Sequence, residues 1–368
     1  MTFQNYSMVN EAFNRFGVGT FSMELFLTHF FRWLISLPGM LFNAALLNTI
    51  IREKSVHGTC ATLLAIGSAA DFVFLLLFSV PLAISLSGQN MISNFGCFFL
   101  QSLPNFGLFS SVWIVFFVGI DRLISVLFPF WYNLLEKHLF IYIFPMLTVA
   151  FGYSTYVLIE TAQFSLFVYP DWPVLCTNGD IFRVGIVPML VRNGMMINGG
   201  TFLCYFFVGL TLFRYRKKNP NAMLKHRIFK SLAAIMALVV GTYFAICLIS
   251  VLFASVVDPF FNFHILSLII ALLTITATSS NGLVLYIFSS EYRQAFRKHL
   301  KGWPLIGLYL GQMDQQIPIK AVSIVVNYNN SIHHQPRVVG RIERGGGGGE
   351  EGDRTKAQKP MPMARLGA

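Results

Sequence analysis

The sequence predicts an all-α fold: a bundle of seven transmembrane helices, followed by a short amphipathic helix and a disordered tail. Two observations carry this prediction, the composition of the chain and the spacing of its apolar runs. Of the 368 residues, 55% are hydrophobic and only 12% are charged, and the mean hydropathy is +0.62. Since soluble proteins carry about 25% charged residues, the composition indicates a membrane protein.

Seven runs of about twenty apolar residues are long enough to cross a hydrocarbon core of about 30 Å as helices. They lie near 31–51, 61–85, 97–129, 139–160, 190–213, 230–254 and 263–288. We expect an extracellular N-terminus (1–28), the helix bundle (29–300) with a membrane-surface helix at about 290–300, and a cytoplasmic tail (301–368) that is mostly disordered. The tail is rich in glycine and charge, and cannot bury enough apolar surface to fold.

The basic residues indicate the orientation of the spans. They collect in the first, third and fifth linkers and after span seven, whereas the second linker has no charged residue. Basic loops stay in the cytoplasm, so we expect a plasma-membrane protein with its N-terminus outside and its C-terminus inside. The sequon at Asn5 then lies outside, where glycosylation is expected. Because the basic residues lie in short linkers and the tail, the net charge of +11 does not indicate a nucleic-acid partner.

An acid–base pair, Asp121–Arg122, lies near the end of the third run, within VGIDRLISVLFPFWY. The 25 helical steps from Cys97 to Arg122 cover about 37 Å, so Arg122 reaches the cytoplasmic surface if Cys97 lies at the outer one. A charge costs less there than the roughly 2.5–3.5 kcal/mol expected at a helix centre. From these residues alone, the pair is either a switch or a pair of interfacial anchors.

The same pair, together with Pro129 and Tyr132, resembles the signature of rhodopsin-like G-protein-coupled receptors. Leu123 departs from the commonest pattern of that family, which has an aromatic residue there. With CFFLQSLPNFGLFSSVW and VLFPFWY on either side, the chain is most similar to the nematode serpentine chemoreceptors of the SX class. The resemblance implies that Asp121 holds Arg122 in the resting state, and that Arg122 swings to meet a heterotrimeric G protein on activation.

The resemblance also implies a central polar pocket. Its residues would be Asn43, Asp71, Ser111 and Asn281, and in the receptor family a sodium ion often binds the aspartate. An acid inside a span usually faces the bundle interior and marks a functional site. The alternative is a neutral Asp71 with a structural role, hydrogen-bonded to Asn43 and Asn281.

A disulfide between Cys97 and Cys176 is expected on two grounds. The topology places both cysteines outside, where oxidation is permitted, and the same pairing is general in the receptor family. Such a bridge would tie linker four over the mouth of the bundle.

Spans six and seven depart from the family pattern. Span seven reads Asn281-Gly282 where the family has Asn-Pro, and Tyr286 comes one residue late. Span six lacks the usual Trp and Pro, and no acid occurs between Arg214 and Val257. Asp121 is therefore the acid expected to restrain Arg122.

A ligand site is expected at the outer mouth of the bundle. Pro104 stands where amine receptors of this family place an aspartate, and span seven has no Lys, which excludes a retinal Schiff base. The candidate pocket residues suit a small, largely neutral molecule: Gln101, Pro104, Phe109, Trp113, Tyr243 and His264. The same aromatic residues are also compatible with ordinary packing.

The leading functional hypothesis is a chemosensory receptor that binds an odorant-like or pheromone-like small molecule and activates a heterotrimeric G protein. One alternative is a receptor-like assembly partner that does not signal. A transporter or channel is less favoured, because Asp71 is nearly alone among charged residues in mid-membrane and no internal repeat is evident. We expect no enzymatic activity, since motifs such as Gly-x-Ser-x-Gly and His-Glu-x-x-His are absent. We also expect no cofactor apart from the sodium ion.

Overall fold

A computed structural model describes residues 21–53, 58–168, 170–177, 181–182, 186–218, 241–242, 244–246, 248–249 and 266–300. Within these residues, six helices are long and apolar enough to cross a membrane. They correspond to predicted spans one to five and span seven: Met23–Arg52, Thr59–Leu86, Asn94–Leu127, Leu139–Val168, Val187–Thr211 and Leu268–Ile287. The predicted sixth span, 230–254, lies mostly outside the described residues. Asn5, Tyr243, His264 and the tail lie entirely outside them.

Span one begins earlier than predicted. The Ser22 hydroxyl caps its N-terminus by accepting a hydrogen bond from the Leu25 amide at 3.5 Å. The helix then runs from Met23 to Arg52. His29 and Arg32 consequently lie well inside the helix, and both are buried.

Span two is interrupted at a proline. An α-helix from Thr59 to Leu75 tightens into a 3₁₀ turn at Leu76–Phe78 and resumes as the α-helix Ser79–Leu86. Pro81 has no amide hydrogen to donate to Leu77, and its ring crowds the carbonyl of that residue. The 3₁₀ turn therefore lies where Pro81 removes a helical hydrogen bond.

Span three ends before its predicted limit. The helix runs from Asn94 to Leu127, and a separate helix, the linker helix, runs from Pro129 to Glu136. The prediction extended the span to Pro129, but proline disfavours helical geometry in the residue before it. Phe128 accordingly leaves the helix, with φ −130° and ψ 62°, and Pro129 occupies the first turn of the linker helix.

Linker four is fastened to the start of span three. The predicted disulfide is present, with the Cα atoms of Cys97 and Cys176 5.4 Å apart. Beside it, Ile92–Ser93 pairs antiparallel with Pro173–Val174, a two-stranded sheet that the all-α prediction did not include. We call this side of the bundle the disulfide end, and the opposite side the Arg122 end.

Span three is the central helix of the described bundle, because it packs against spans two, four and five. A buried apolar cluster joins spans two, three and four: Cys60, Leu63, Ile114, Phe117, Val118, Ile143 and Ala150. Glycines permit close contacts at two points. Gly107 lies against the backbone of span two, and Gly119 lies against the ring of Tyr205 on span five.

Span seven (Ser267–Phe288) continues into the predicted amphipathic helix, Ser290–Leu300, which we call the terminal helix. Tyr286 and Phe296 are fully buried, with ring centroids 6.0 Å apart. Arg293 donates hydrogen bonds to the carbonyls of Tyr286 and Ile287. It thereby satisfies backbone acceptors that the end of span seven leaves without helical partners.

Replacing Gly107 by alanine tests the close contact between spans two and three. A Cβ atom at position 107 would lie 2.6 Å from the Ala70 carbonyl oxygen and 3.0 Å from the Phe74 amide nitrogen. Since both are backbone atoms, we expect Gly107→Ala to destabilise the bundle by about 1–3 kcal/mol. The measurement is the melting temperature of the purified chain.

Gly152→Ala on span four is the matched control, because a Cβ atom there meets nothing within 4 Å. Equal melting temperatures for the two variants would contradict the close approach.

Candidate functional site

The predicted charge pair belongs to a compact polar group at the Arg122 end, the Asp121 cluster, which comprises Thr59, Asp121, Arg122 and Tyr132. The side chain of Asp121 is 0% exposed and that of Arg122 is 17% exposed. Arg122 donates to Asp121 Oδ2 through Nη2 at 2.8 Å and through Nε at 3.1 Å. Thr59 Oγ1 donates to the other carboxylate oxygen, Oδ1, at 2.7 Å.

The direction of each hydrogen bond in the Asp121 cluster follows from its chemistry. A carboxylate only accepts, so the single hydroxyl proton of Thr59 goes to Asp121. Tyr132 is therefore the donor in its 2.5 Å contact with Thr59 Oγ1. The Tyr132 oxygen in turn accepts from Arg122 Nη2 at 3.4 Å. These bonds close a ring that runs from Arg122 through Tyr132 and Thr59 to Asp121.

Three segments contribute to this ring. Thr59 is the first residue of span two, the charge pair lies near the end of span three, and Tyr132 is on the linker helix. Pro129 positions Tyr132 by starting the linker helix. Leu123 is half-buried and offers no polar group to the ring. Burial raises the pKa of Tyr132 to about 12, so its hydroxyl keeps its proton at neutral pH and can donate.

Thr59 and Tyr205 were not predicted as site residues from the sequence. A hydroxyl at the start of span two, on the same membrane side as Arg122, would have been the signal for Thr59. Tyr205, on span five, lies near enough to Asp121 and Arg122 to interact electrostatically. Its hydroxyl is buried and has no hydrogen-bond partner among the described residues.

A second polar group, the Asp71 cluster, lies between spans two, three and seven. Ser111 Oγ donates to Asp71 Oδ1 at 2.5 Å, and Asn281 Nδ2 donates to Oδ2 at 3.0 Å. The Asn43 amide donates its hydrogen bonds elsewhere than to the carboxylate. Its Nδ2 donates to the carbonyls of Gly39 and Thr278, each at 3.0 Å, and so ties span one to span seven.

The fit of the Asp71 cluster to sodium depends on its oxygens, because a hard cation collects about six or more oxygen ligands. Asp71 and Ser111 offer carboxylate and hydroxyl oxygens, whereas Asn281 turns its amide N–H groups to the carboxylate. Among the described residues, the side-chain oxygens of Asn43 and Ser68 are buried without a hydrogen-bond partner. Asp71 and Ser111 would therefore hold the ion, and it would supply positive charge beside the buried carboxylate.

At the disulfide end, the predicted pocket residues occupy two different settings. Gln101 and Pro104 are buried on span three, and Gln101 Nε2 donates to the Cys176 carbonyl at 2.9 Å. Phe109 meets Phe182 edge-on at a centroid distance of 5.5 Å, and Trp113 meets Tyr153 at 5.6 Å. These two aromatic residues therefore pack against linker four and span four.

Two charged features were not anticipated from the sequence. His29 and Arg32 are buried in the N-terminal third of span one. Because they lie one helical turn apart, they share a face of that helix. At the Arg122 end, Glu53 Oε2 contacts Lys298 Nζ at 2.8 Å and His299 Nε2 at 3.1 Å. Glu53 follows span one directly, so these contacts fasten the terminal helix to that span.

Comparison with known families agrees with this geometry. The model of the family described as serpentine type 7TM GPCR chemoreceptor Srsx matches residues 36–300, well over half of the chain. A search of curated proteins found no match. The match confirms the resemblance to serpentine chemoreceptors of the SX class, together with the fold class and the multi-pass membrane location. It begins within span one and ends with the terminal helix.

Removing the Ser111 hydroxyl tests the Asp71 cluster. Ser111→Ala deprives a buried carboxylate of one of its two donors, so we expect a loss of about 1–3 kcal/mol of stability, measured as a lower melting temperature. Ser102→Ala is the control, because Ser102 is only partly buried on the same helix and donates only to the Phe99 carbonyl.

Exchange of sodium for N-methylglucamine adds an ion-specific measurement. If Asp71 and Ser111 hold sodium, the exchange lowers the melting temperature of the wild type and leaves that of Ser111→Ala nearly unchanged. Equal shifts in the two proteins would show that the cluster holds no sodium.

Proposed function

Because the chain belongs to the Srsx family of serpentine seven-transmembrane chemoreceptors, we propose that it binds a small extracellular molecule and activates a heterotrimeric G protein. The disulfide end faces outward and the Arg122 end faces the cytoplasm, in the plasma membrane. Ligand binding shifts the populations of two packings of the bundle, and the open packing exposes Arg122 to the G protein.

The ring of the Asp121 cluster is the observation that carries this proposal. A buried ion pair is a weak source of net stability, but breaking it leaves a buried charge without its partner. The ring therefore has two well-defined states, closed and open. Closure joins spans two and three and the linker helix, so a movement of any of these segments opens it. In the open state Arg122 is free to meet a partner at the cytoplasmic surface.

Tyr205 supplies a reason for Arg122 to leave the ring. A buried hydroxyl without a hydrogen-bond partner lowers stability by about 1–3 kcal/mol. In the closed packing, the Tyr205 hydroxyl is such a group. Arg122 carries five N–H donors, so it can satisfy the Tyr205 oxygen once it leaves Asp121. We assign Tyr205 as the residue that receives Arg122 in the open packing.

The linker helix offers a surface for the G protein beside Arg122. None of its residues is buried, and the side chains of Phe130 and Trp131 are 73% and 63% exposed. Aromatic side chains are enriched in protein–protein interfaces, so we assign Phe130 and Trp131 to the surface that meets the G protein.

A receptor-like assembly partner that does not signal is the second candidate function, and Gly282 favours it. A Cβ atom at position 282 would lie 2.9 Å from the Phe42 carbonyl oxygen, so span seven lies directly against span one. Such close packing restricts movement of span seven, where receptors of the rhodopsin-like family usually have a proline. Nucleotide exchange on G proteins in reconstituted membranes separates the two candidates, because only the receptor catalyses it.

Opening the ring by mutation is expected to raise basal nucleotide exchange. Asp121→Asn removes the charge that restrains Arg122, and Thr59→Val removes a hydroxyl that links Tyr132 to Asp121. We expect the larger rise for Asp121→Asn, because it removes the charged partner. The measurement is basal exchange at equal surface expression.

Thr62→Val is the control, since Thr62 lies one turn further along the same helix and donates only to the Gly58 carbonyl. Unchanged basal nucleotide exchange in an Asp121→Asn variant that reaches the surface would contradict the role of the ring in restraining Arg122.

Removing the Tyr205 hydroxyl is expected to have the opposite effect on signalling. Tyr205→Phe leaves the ring closed and removes a buried oxygen without a partner, so the resting protein should melt at the same or a higher temperature. Exchange by Asp121→Asn should fall when Tyr205→Phe is added, because the open packing loses a contact. A double variant as active as Asp121→Asn alone would exclude Tyr205 from the open state.

A further inference from the structure

A second tyrosine with a buried hydroxyl, Tyr142, lies beside the Asp121 cluster in the first turn of span four. Its hydroxyl oxygen has no hydrogen-bond partner among the described residues. Its ring packs against the buried cluster that joins spans two, three and four. Buried polar groups without partners are rare in proteins, so this hydroxyl requires an explanation.

The residues around this ring place the hydroxyl near Asp121. The cluster against which Tyr142 packs includes Cys60 and Val118. Cys60 directly follows Thr59, and Val118 lies one helical turn before Asp121. The Tyr142 side chain accordingly interacts electrostatically with the Asp121 carboxylate. The hydroxyl is therefore within reach of the carboxylate, although in the closed packing the two groups do not have the geometry of a hydrogen bond.

The closed ring explains why Tyr142 has no partner. Asp121 Oδ1 accepts from Thr59, and Oδ2 accepts twice from the guanidinium of Arg122. A charged fork of this kind binds a carboxylate more strongly than a neutral hydroxyl does. The guanidinium therefore occupies Oδ2 as long as the ring is closed.

Opening of the ring leaves Asp121 Oδ2 without these donors. A buried carboxylate that loses its charged partner is strongly destabilising, and the Asp121 side chain is 0% exposed in the closed packing. The Tyr132 hydroxyl lies 3.5 Å from Oδ2, but its single proton is directed to Thr59 in their 2.5 Å contact. Another donor is thus required.

Two hydroxyls without partners flank the ring, one on each of two helices that pack against span three. Tyr205 is on span five and is assigned to Arg122, whereas Tyr142 is on span four. Of the two charged residues, Asp121 interacts with Tyr142 more strongly than Arg122 does. Each charge that the open ring releases therefore has one hydroxyl near it.

From these observations, we infer that Tyr142 is a positioning residue that receives Asp121 when the ring opens, its hydroxyl donating to Oδ2 in place of Arg122. This inference rests on the proposed receptor function and adds span four to the segments that the switch engages. The carboxylate then keeps hydrogen-bond donors in both packings, so the open packing does not contain an unpaired buried charge.

Melting temperatures of the purified full chain test this inference without a G protein. In the wild type, Tyr142→Phe removes a buried oxygen without a partner, so the melting temperature should stay the same or rise. Arg122→Met deprives Oδ2 of its donors and so reproduces the open state of the carboxylate. In that variant, adding Tyr142→Phe should lower the melting temperature by about 2 °C or more, because a buried charge loses a donor.

The change of sign between the two backgrounds is the expected signature. An effect of the same sign in both would overturn the inference, whether Tyr142→Phe stabilises or destabilises the chain. Tyr156→Phe is the matched control, since Tyr156 is on the same helix and its exposed hydroxyl contacts the Met189 sulfur. It should have equal effects in the two backgrounds.

Basal nucleotide exchange provides a second test, which decides the question if Arg122→Met fails to fold. Thr59→Val opens the ring and keeps the charge of Asp121, whereas Asp121→Asn removes that charge. Adding Tyr142→Phe should lower the exchange of Thr59→Val at least about twofold, and should lower that of Asp121→Asn less. An equal or larger fall in Asp121→Asn would show that Tyr142 does not act through the carboxylate.

The two measurements separate this inference from the proposed function. A change of sign in the melting temperatures, in a chain that catalyses no nucleotide exchange, would uphold the contact between Tyr142 and Asp121 and contradict the signalling function. Exchange that is raised by Asp121→Asn, with no change of sign, would do the reverse.

Discussion

The hydrogen-bonded ring around Asp121 is the constraint on which the Arg122 end of the molecule depends. Asp121 accepts hydrogen bonds, Arg122 donates them, and Thr59 donates to Asp121. The Tyr132 hydroxyl contacts Thr59 at 2.5 Å and lies 3.5 Å from Asp121 Oδ2. Rings of this kind polarise their members and are held or lost as a unit. This accounts for how a single acid can restrain Arg122 although the chain has no acid between residues 214 and 257. The hydroxyls of Thr59 and Tyr132 supply the additional restraint.

The remainder of the bundle separates this ring from the disulfide end. Span three carries both, with the disulfide near its start and Asp121 near its end, and glycines at positions 107 and 119 let its neighbours approach closely. The Asp71 cluster lies between them and joins spans two, three and seven. Polar groups therefore connect different helices at two levels of span three, the Asp71 cluster and the Asp121 cluster.

Much of this could be predicted from the sequence, because apolar length and basic linkers are signals that act over short stretches of chain. Spans one to five, span seven and the terminal helix follow from such signals, whereas the Cys97–Cys176 pairing was expected from the topology and from the resemblance to the receptor family. Contacts across the bundle could not be predicted in the same way. The Asn43 amide donates to span seven and not to Asp71, and the hydroxyl of Thr59 could be assigned to the Asp121 cluster only once the register between spans two and three was known. The strand pairing and the early start of span one were also missed, since two-residue strands have no periodicity and His29 and Arg32 resemble a helix boundary.

The terminal helix is attached to the bundle in an unusual number of ways. Tyr286 and Phe296 share a buried contact, Arg293 caps span seven, and Glu53 bonds to Lys298 and His299. Helices in this position often depend on an acyl chain inserted in the bilayer, and no cysteine follows Cys247 in this chain. Here the protein contacts themselves hold the terminal helix to spans one and seven. Its orientation should therefore persist when detergent replaces the membrane.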